Sequence, residues 1–172
     1  MMEGTPGSLF PKTDEAKMAK TLSSAQQFAA RNLPPVEHLL EILVKGESDR
    51  PQVTRPRWQA EFDLAMGRVM ANKARLDGYN SMIAALKRGK TFKDPESKSW
   101  KLTPADNFET ESTIKKMADK AKVYLQRVIS DHPGTPWVKI AEEELKLPLG
   151  WTWEETKEGG PPEPKGKKKK GK

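Results

Sequence analysis

The segment from residue 110 to residue 147 constrains the fold most, because it encodes an abrupt change of helix direction. Apolar residues recur at helical intervals on both sides of residues 132–136, which read His-Pro-Gly-Thr-Pro. Proline interrupts a helix but is tolerated in a first turn, so one helix should end before Pro133 and another begin at Pro136. The apolar positions of the two helices are Ala121, Leu125 and Val128, then Trp137, Ile140 and Ala141. The pattern predicts a helical hairpin in which Trp137 is buried.

This spacing resembles that of tetratricopeptide-type repeats, with the second helix of one repeat followed by the opening of the next. The resemblance covers two half-repeats. Phe108 is the only bulky core candidate in the preceding helix, expected near residues 105–114, and Pro148 stops the following one. An ordinary helical hairpin accounts for the same residues. The repeat resemblance implies a module that binds protein partners.

Composition favours one elongated helical domain with flexible ends. The 172 residues are 35% hydrophobic and 32% charged, which is polar for a compact domain, yet five tryptophans argue against wholesale disorder. Residues 1–12 lack the apolar run of a signal peptide, and no segment offers the roughly 20 apolar residues of a membrane span. We expect a cytoplasmic protein with a flexible N-terminus (residues 1–13), a helical domain (14–158) and a disordered tail (159–172).

The net charge of +7 is concentrated in that tail. Six lysines and one glutamate give residues 159–172 a charge of +5 and leave +2 for the remainder. A basic run with glycine and proline predicts weak polyanion or nucleic-acid binding without sequence specificity, or a solubilising segment. The lysines are Lys165, Lys167, Lys168, Lys169, Lys170 and Lys172.

Two helices are expected before residue 47. Apolar residues at intervals of three and four predict the first over residues 14–31 and the second from Pro35 to about residue 45. The prolines at positions 34 and 35 should separate the two helices, and Gly46 should cap the second. Residues 47–56, polar with two prolines, are interpreted as a linker.

The longest predicted helix runs from about residue 57 to residue 88. Its apolar positions alternate steps of four and three, a heptad pattern that requires a long helical neighbour. Asn72 is the one polar residue among these positions. It is either a buried amide that fixes the register of this helix against its neighbour or a residue that faces solvent. Gly67 and Gly78 predict a close approach by another backbone or a bend. The positions are Trp58, Phe62, Ala65, Val69, Asn72, Leu76, Tyr79, Ile83 and Leu86.

The connection over residues 90–109 is long for a loop without structure. We expect a short extended segment at residues 100–102 that packs on the helices. Thr103 and Pro104, followed by Ala105 and Asp106, indicate the start of the next helix.

No catalytic, cofactor or metal site is expected. Residues 87–91 end like a phosphate-binding loop, but Ala84 replaces the first glycine and the segment follows a helix where that motif needs a strand. Ser130, Asp131 and His132 are consecutive and cannot form the serial hydrogen bonds of a hydrolase triad. Two histidines and no cysteine provide no metal-ligand spacing.

Several longer segments resemble the C-terminal region of planctomycete-type proteins that carry a von Willebrand factor A domain. They are residues 57–69 (RWQAEFDLAMGRV), 78–80 (GYN), 92–95 (FKDP), 132–137 (HPGTPW) and 148–151 (PLGW). The resemblance covers about residues 33–155, and the A domain with its metal-binding motif is absent. It implies an accessory helical region within a larger architecture, and therefore an alternative to the cytoplasmic expectation in which the chain is a fragment of an exported or membrane-attached protein.

The combined interpretation is an all-α fold of about five helices with a non-enzymatic function in protein–protein interaction. The alternative is polyanion binding through the lysine tail. Candidate interaction residues are Trp58, Asn72, Tyr79 and Trp137.

Overall fold

Two long helices and a helical hairpin pack together and against a small sheet in the computed structural model, which describes residues 9–12, 15–106, 108 and 112–158. The elements in chain order are β1 (Leu9–Pro11), α1 (Glu15–Lys45), a 3-10 helix (Glu47–Gln52), α2 (Pro56–Lys87), β2 (Ser99–Ala105), α3 (Ser112–Asp131), α4 (Pro136–Leu145) and β3 (Gly150–Thr156). The mainly helical prediction is confirmed for these residues. The all-α class is wrong, because the three strands form an antiparallel sheet in the order β1-β2-β3.

Helix α1 is continuous, so the predicted break at residues 33–35 is wrong. Pro34 and Pro35 lie inside it and remove two backbone donors, at about 3 kcal/mol for an interior proline. Both prolines are exposed, which leaves the carbonyl groups one turn earlier free to meet water. Packing on both sides of the prolines holds the helix together. Ala25 and Ala29 lie in one apolar cluster with residues of α2, and Leu40 lies in another.

Helix α2 is the centre of the molecule. Its predicted bounds are confirmed to within a residue, since Pro56 occupies its first turn and Gly89 follows its end with φ +98°. It packs against α1, α3, α4 and β3, and its buried residues therefore lie on several faces. A single heptad stripe with one helical neighbour does not describe it. The first member of that stripe, Trp58, is 51% exposed.

The two glycines inside α2 mark close approaches, by a neighbouring helix backbone at Gly67, as predicted, and by a side chain at Gly78, which was not predicted. A Cβ on Gly67 would fall 2.7 Å from Leu125 Cγ and 3.2 Å from the carbonyl oxygen of Ala121, both on α3. A Cβ on Gly78 would fall 3.2 Å from Trp151 Cδ1. The helix is thus contacted by a neighbouring helix at the first glycine and by an indole ring at the second.

The expected extended segment at residues 100–102 is confirmed and is part of β2, whereas the helix expected to start at Thr103 and Pro104 is wrong. Strand β1 pairs with β2 only as far as Lys101, opposite Leu9. Among the described residues Pro104 has no strand partner on that side, where a proline is tolerated, and it pairs with Trp151 of β3 on the other side.

An aromatic cluster joins the sheet to the helices. Phe10 and Trp100 are almost fully buried, and the ring of Trp153 lies 5.5 Å and 6.2 Å from theirs, in edge-to-face contact. Phe92 stacks on Trp100 at 4.7 Å. Residues 9–12, which the sequence interpretation assigned to a flexible N-terminus, thus supply a strand and a core side chain.

The helical hairpin is present as α3 and α4. Gly134 has φ +77° at the corner, a conformation that favours glycine. Helix α3 begins at Ser112 and not near residue 105. Trp137 is half-buried against the cluster of Leu125, Val128 and Ala141, so the prediction of a buried Trp137 holds only in part. The lysine tail, residues 159–172, lies outside the described residues.

Candidate functional site

A groove of about 290 Å³ lies where α2, the end of α4 and the strands β2 and β3 meet. Its lining combines apolar residues, which we call its apolar side, and polar residues, which we call its polar side. We call it the α2–β3 groove. Its apolar residues are Pro104, Leu147, Pro148 and Trp151, and its polar residues are Arg68, Asn72, Arg75 and Glu144.

A buried ion pair forms the polar base of the groove. Arg75 is 7% exposed and Glu144 is 9% exposed, and Arg75 Nη1 donates to Glu144 Oε1 at 2.6 Å. Arg75 also donates from Nε to the carbonyl oxygen of Pro148 at 2.9 Å and from Nη2 to that of Leu147 at 3.3 Å. These bonds fix the segment that leaves α4 against α2, so Arg75 serves mainly to hold the groove in shape.

A second guanidinium lies at the mouth of the groove. Arg68 Nε is 3.4 Å from Glu144 Oε2, and the Arg68 side chain is 52% exposed. Two cationic groups therefore share one carboxylate, which leaves the polar side of the groove with an excess positive charge. Asn72 lies one helical turn from each arginine and accepts a long 3.5 Å contact from Arg75. Its side-chain amide donates to no residue in the described ranges.

The position of Trp151 defines the apolar side. Its indole Nε1 donates to the carbonyl oxygen of Arg75 at 2.8 Å. The ring also contacts Tyr79 edge-to-face at 5.4 Å and lies over Gly78. A side chain at position 78 would push the indole away, so the glycine and the hydrogen bond together place this ring beside the two arginines.

A second charged cluster connects the 3-10 helix to α2 and α3. The carboxylate of Asp63 is fully buried and accepts from Arg50 Nη2 at 2.6 Å and from Arg127 Nη1 at 3.3 Å. The hydrogen bond to Asp63 raises the pKa of Arg50. Buried charges that are fully paired in this way favour a role in fixing the local structure over a role in binding.

The same cluster contains a tyrosine–carboxylate contact. The Tyr124 hydroxyl donates to Glu47, which lowers the pKa of that carboxyl; Lys120 lies 3.0 Å from it. Burial and this hydrogen bond raise the pKa of Tyr124. The residues that the sequence interpretation treated as a linker are therefore attached to α3.

The four candidate interaction residues are not brought together. Asn72 lines the α2–β3 groove, while Trp58 is exposed near the start of α2 beneath Arg57. Tyr79 is 1% exposed and belongs to the core. Trp137 contacts the hairpin core and leaves part of its ring exposed.

Sequence reasoning missed the groove residues themselves. Arg68 and Arg75 are seven residues apart on α2, a spacing that places both on one helix face, with Asn72 between them. That spacing could have identified these two arginines as a candidate binding pair. Glu144 gave none, because it lies in an acidic run and is 69 residues from its partner Arg75.

Comparisons of the chain with protein-family models, with curated proteins and with solved structures find no match. Across the described ranges, no helix has the length and apolar character needed to cross a membrane. The same part of the chain contains no group of three or more histidine, cysteine or acidic side chains placed to hold a metal ion.

Proposed function

We propose that this protein is a non-enzymatic interaction module that binds a segment of a partner protein in the α2–β3 groove. The observation that carries the proposal is the lining of that groove. Apolar lining from Trp151, Pro148 and Leu147 is combined with a small number of fixed polar groups, a composition typical of binding sites.

The surroundings of the groove support a binding role. Leu147 is 40% exposed at its rim, and aromatic and arginine side chains of the kind found here dominate the energetics of protein interfaces. The paired arginine Arg75 gives the groove a rigid base, which reduces the cost of ordering the site when a partner binds.

The proposal is tested with a pair of matched substitutions. Leu147 and Ile140 are 40% and 42% exposed, but only Leu147 lines the groove. Peptides are selected from a random display library on the intact protein, and their affinities are measured by isothermal titration calorimetry. Leu147→Gln should weaken binding of the selected peptides and Ile140→Gln should leave it unchanged. Equal effects of the two substitutions, or none, would argue against the groove.

The two sequence resemblances suggest how this chain is related to other proteins. We infer that the chain is an accessory helical region of the kind associated with von Willebrand factor A proteins, and that its hairpin is related to tetratricopeptide-type repeats. The α3–α4 hairpin and the length of the resembling segments support this inference. Expression beside an A domain from such a protein, followed by a test for complex formation, would examine it.

Polyanion binding through the tail is a second candidate function. It is supported by the charge distribution, because residues 159–172 carry +5 of the net +7. Such binding is electrostatic and falls steeply as salt rises.

A further inference from the structure

We propose that the α2–β3 groove recognises an acidic side chain, glutamate or aspartate, within an extended apolar segment of the partner. This inference rests on the proposed function, since it names the chemistry of the segment that the groove binds. The charges of the groove favour an acidic ligand. Arg68 and Arg75 face one carboxylate, that of Glu144, and both oxygens of Glu144 are already in contact with them.

The two arginines differ in what they can still bind. Arg75 is buried and its guanidinium contacts Glu144, Asn72 and two backbone carbonyl groups. Arg68 is half exposed, and its single ionic contact within the described residues, 3.4 Å at Nε, is longer than the roughly 2.7–2.9 Å of a strong charged hydrogen bond. No described residue forms an ion pair with its Nη1 or Nη2 group, so both can bind a carboxylate of the partner.

A second donor lies beside Arg68. Asn72 is four residues further along α2, so the two side chains lie on the same face of the helix, and its amide donates to no described residue. An arginine fork and an amide together satisfy both oxygens of a carboxylate. Glutamate provides two such oxygens, whereas a neutral glutamine provides one.

The apolar walls determine the rest of the segment. Pro104, Pro148 and Trp151 offer flat apolar contacts to residues that flank the acidic one. Residues of the partner that pack on these walls exclude water from the ion pair, which strengthens the pair. The six lysines of residues 159–172 add a positive field that favours the approach of an acidic partner.

The test uses capped peptides with either Pro-Leu-Glu-Leu-Pro or Pro-Leu-Gln-Leu-Pro at the centre, titrated into the full chain. Binding is followed by nuclear magnetic resonance, with the indole N–H of Trp151 and the amide group of Asn72 as reporters. We expect both signals to move, and we expect the glutamate peptide to bind roughly tenfold more tightly than the glutamine peptide, the worth of one charge-assisted hydrogen bond. The preference should shrink as salt rises.

Substitutions of Arg68 test whether this residue causes the preference for the glutamate peptide. Arg68→Gln should remove the difference between the two peptides, and Arg68→Lys should retain only part of it because an ammonium lacks the planar fork. Arg57→Gln is the matched control, since Arg57 is on the same helix, is 68% exposed and pairs with Glu61 outside the groove. Its effect on both affinities should be negligible. The amide spectrum of each variant reports whether the fold is retained.

The outcomes separate the two proposals. Equal affinities of the glutamate and glutamine peptides in the unmodified protein would overturn acidic recognition and leave a groove that binds apolar segments. Absence of any shift at Trp151 with either peptide, together with failure of the Leu147→Gln test, would overturn the proposed function. If a peptide that ends in a free leucine carboxylate binds more tightly than the glutamate peptide, the groove recognises a chain terminus, and the proposal of an acidic side chain is overturned.

Discussion

Gly67 of α2 and Leu125 of α3 lie so close that no side chain fits between them. A Cβ at position 67 would be 2.7 Å from Leu125 Cγ, and Leu125 is fully buried and cannot move toward solvent. The absence of a side chain at this point sets how closely the two helices pack.

Gly67→Ala should therefore destabilise the protein although alanine favours helix formation. Overpacking costs about 1–3 kcal/mol, which exceeds the gain of about 1 kcal/mol from replacing a helical glycine. Denaturant unfolding measures the change in free energy. Gly46→Ala is the control, because a Cβ there makes ordinary contacts of 3.6 Å at φ −83°. Higher stability of Gly67→Ala would show that α3 shifts without cost.

Glu144→Gln should be among the most destabilising conservative substitutions in the chain. It leaves the buried guanidinium of Arg75 without its counter-ion, a change that costs about 3–5 kcal/mol when one partner of a buried pair is removed. Glu143→Gln on the same helix changes an exposed carboxylate and should leave the thermal midpoint unmoved. Similar midpoints for the two variants would mean that Arg75 is adequately solvated.

The two tyrosines should resist ionisation while the protein is folded. Burial raises the pKa of Tyr79 to about 12, and burial with the bond to Glu47 raises the pKa of Tyr124. Both folded values exceed the unfolded value of about 10, so their contribution to stability is complete below pH about 10 and is lost as pH rises toward the folded pKa values. Tyrosinate absorbance against pH, with and without denaturant, measures this. Ionisation near pH 10 with the helical circular dichroism intact would contradict it.

Deletion of residues 159–172 should abolish salt-sensitive retention on heparin, because these residues carry +5 and the remainder carries +2. A full-length variant with the six lysines changed to glutamine should behave like the truncated protein. If retention survives both changes, the described helical body binds polyanions.

Local signals predicted α2 and the hairpin corner between α3 and α4. Proline near position 56 and glycine at position 89 bracket α2, and the hairpin corner at residues 132–136 is visible because proline and glycine act on their own neighbours. The helix break predicted at Pro34 and Pro35 is wrong because a distant contact, and not a local signal, decides the structure there. Tertiary packing of α1 on α2 overrides a local cost of a few kcal/mol, and a single sequence does not show that packing.

The sheet and the groove depend on contacts between distant parts of the chain. Phe10 pairs with Trp100, and Leu102 pairs with Trp153. Strand preference depends on such partners more than on the residues themselves, so three short strands among long helices left little signal. The groove could not be predicted for the same reason, because Arg75 and Glu144 come together only when α4 folds back on α2.

The exposed prolines of α1 lie between the parts of the helix that pack into two different apolar clusters. Residues before them, such as Ala25 and Ala29, lie with the aromatic sheet, whereas Leu40 after them lies with α3. At positions 34 and 35 the helix has no backbone donors to transmit order from one half to the other. Partial unfolding should therefore stop at this point, so that amide hydrogens of residues 15–33 and those of residues 36–45 exchange with solvent as separate groups.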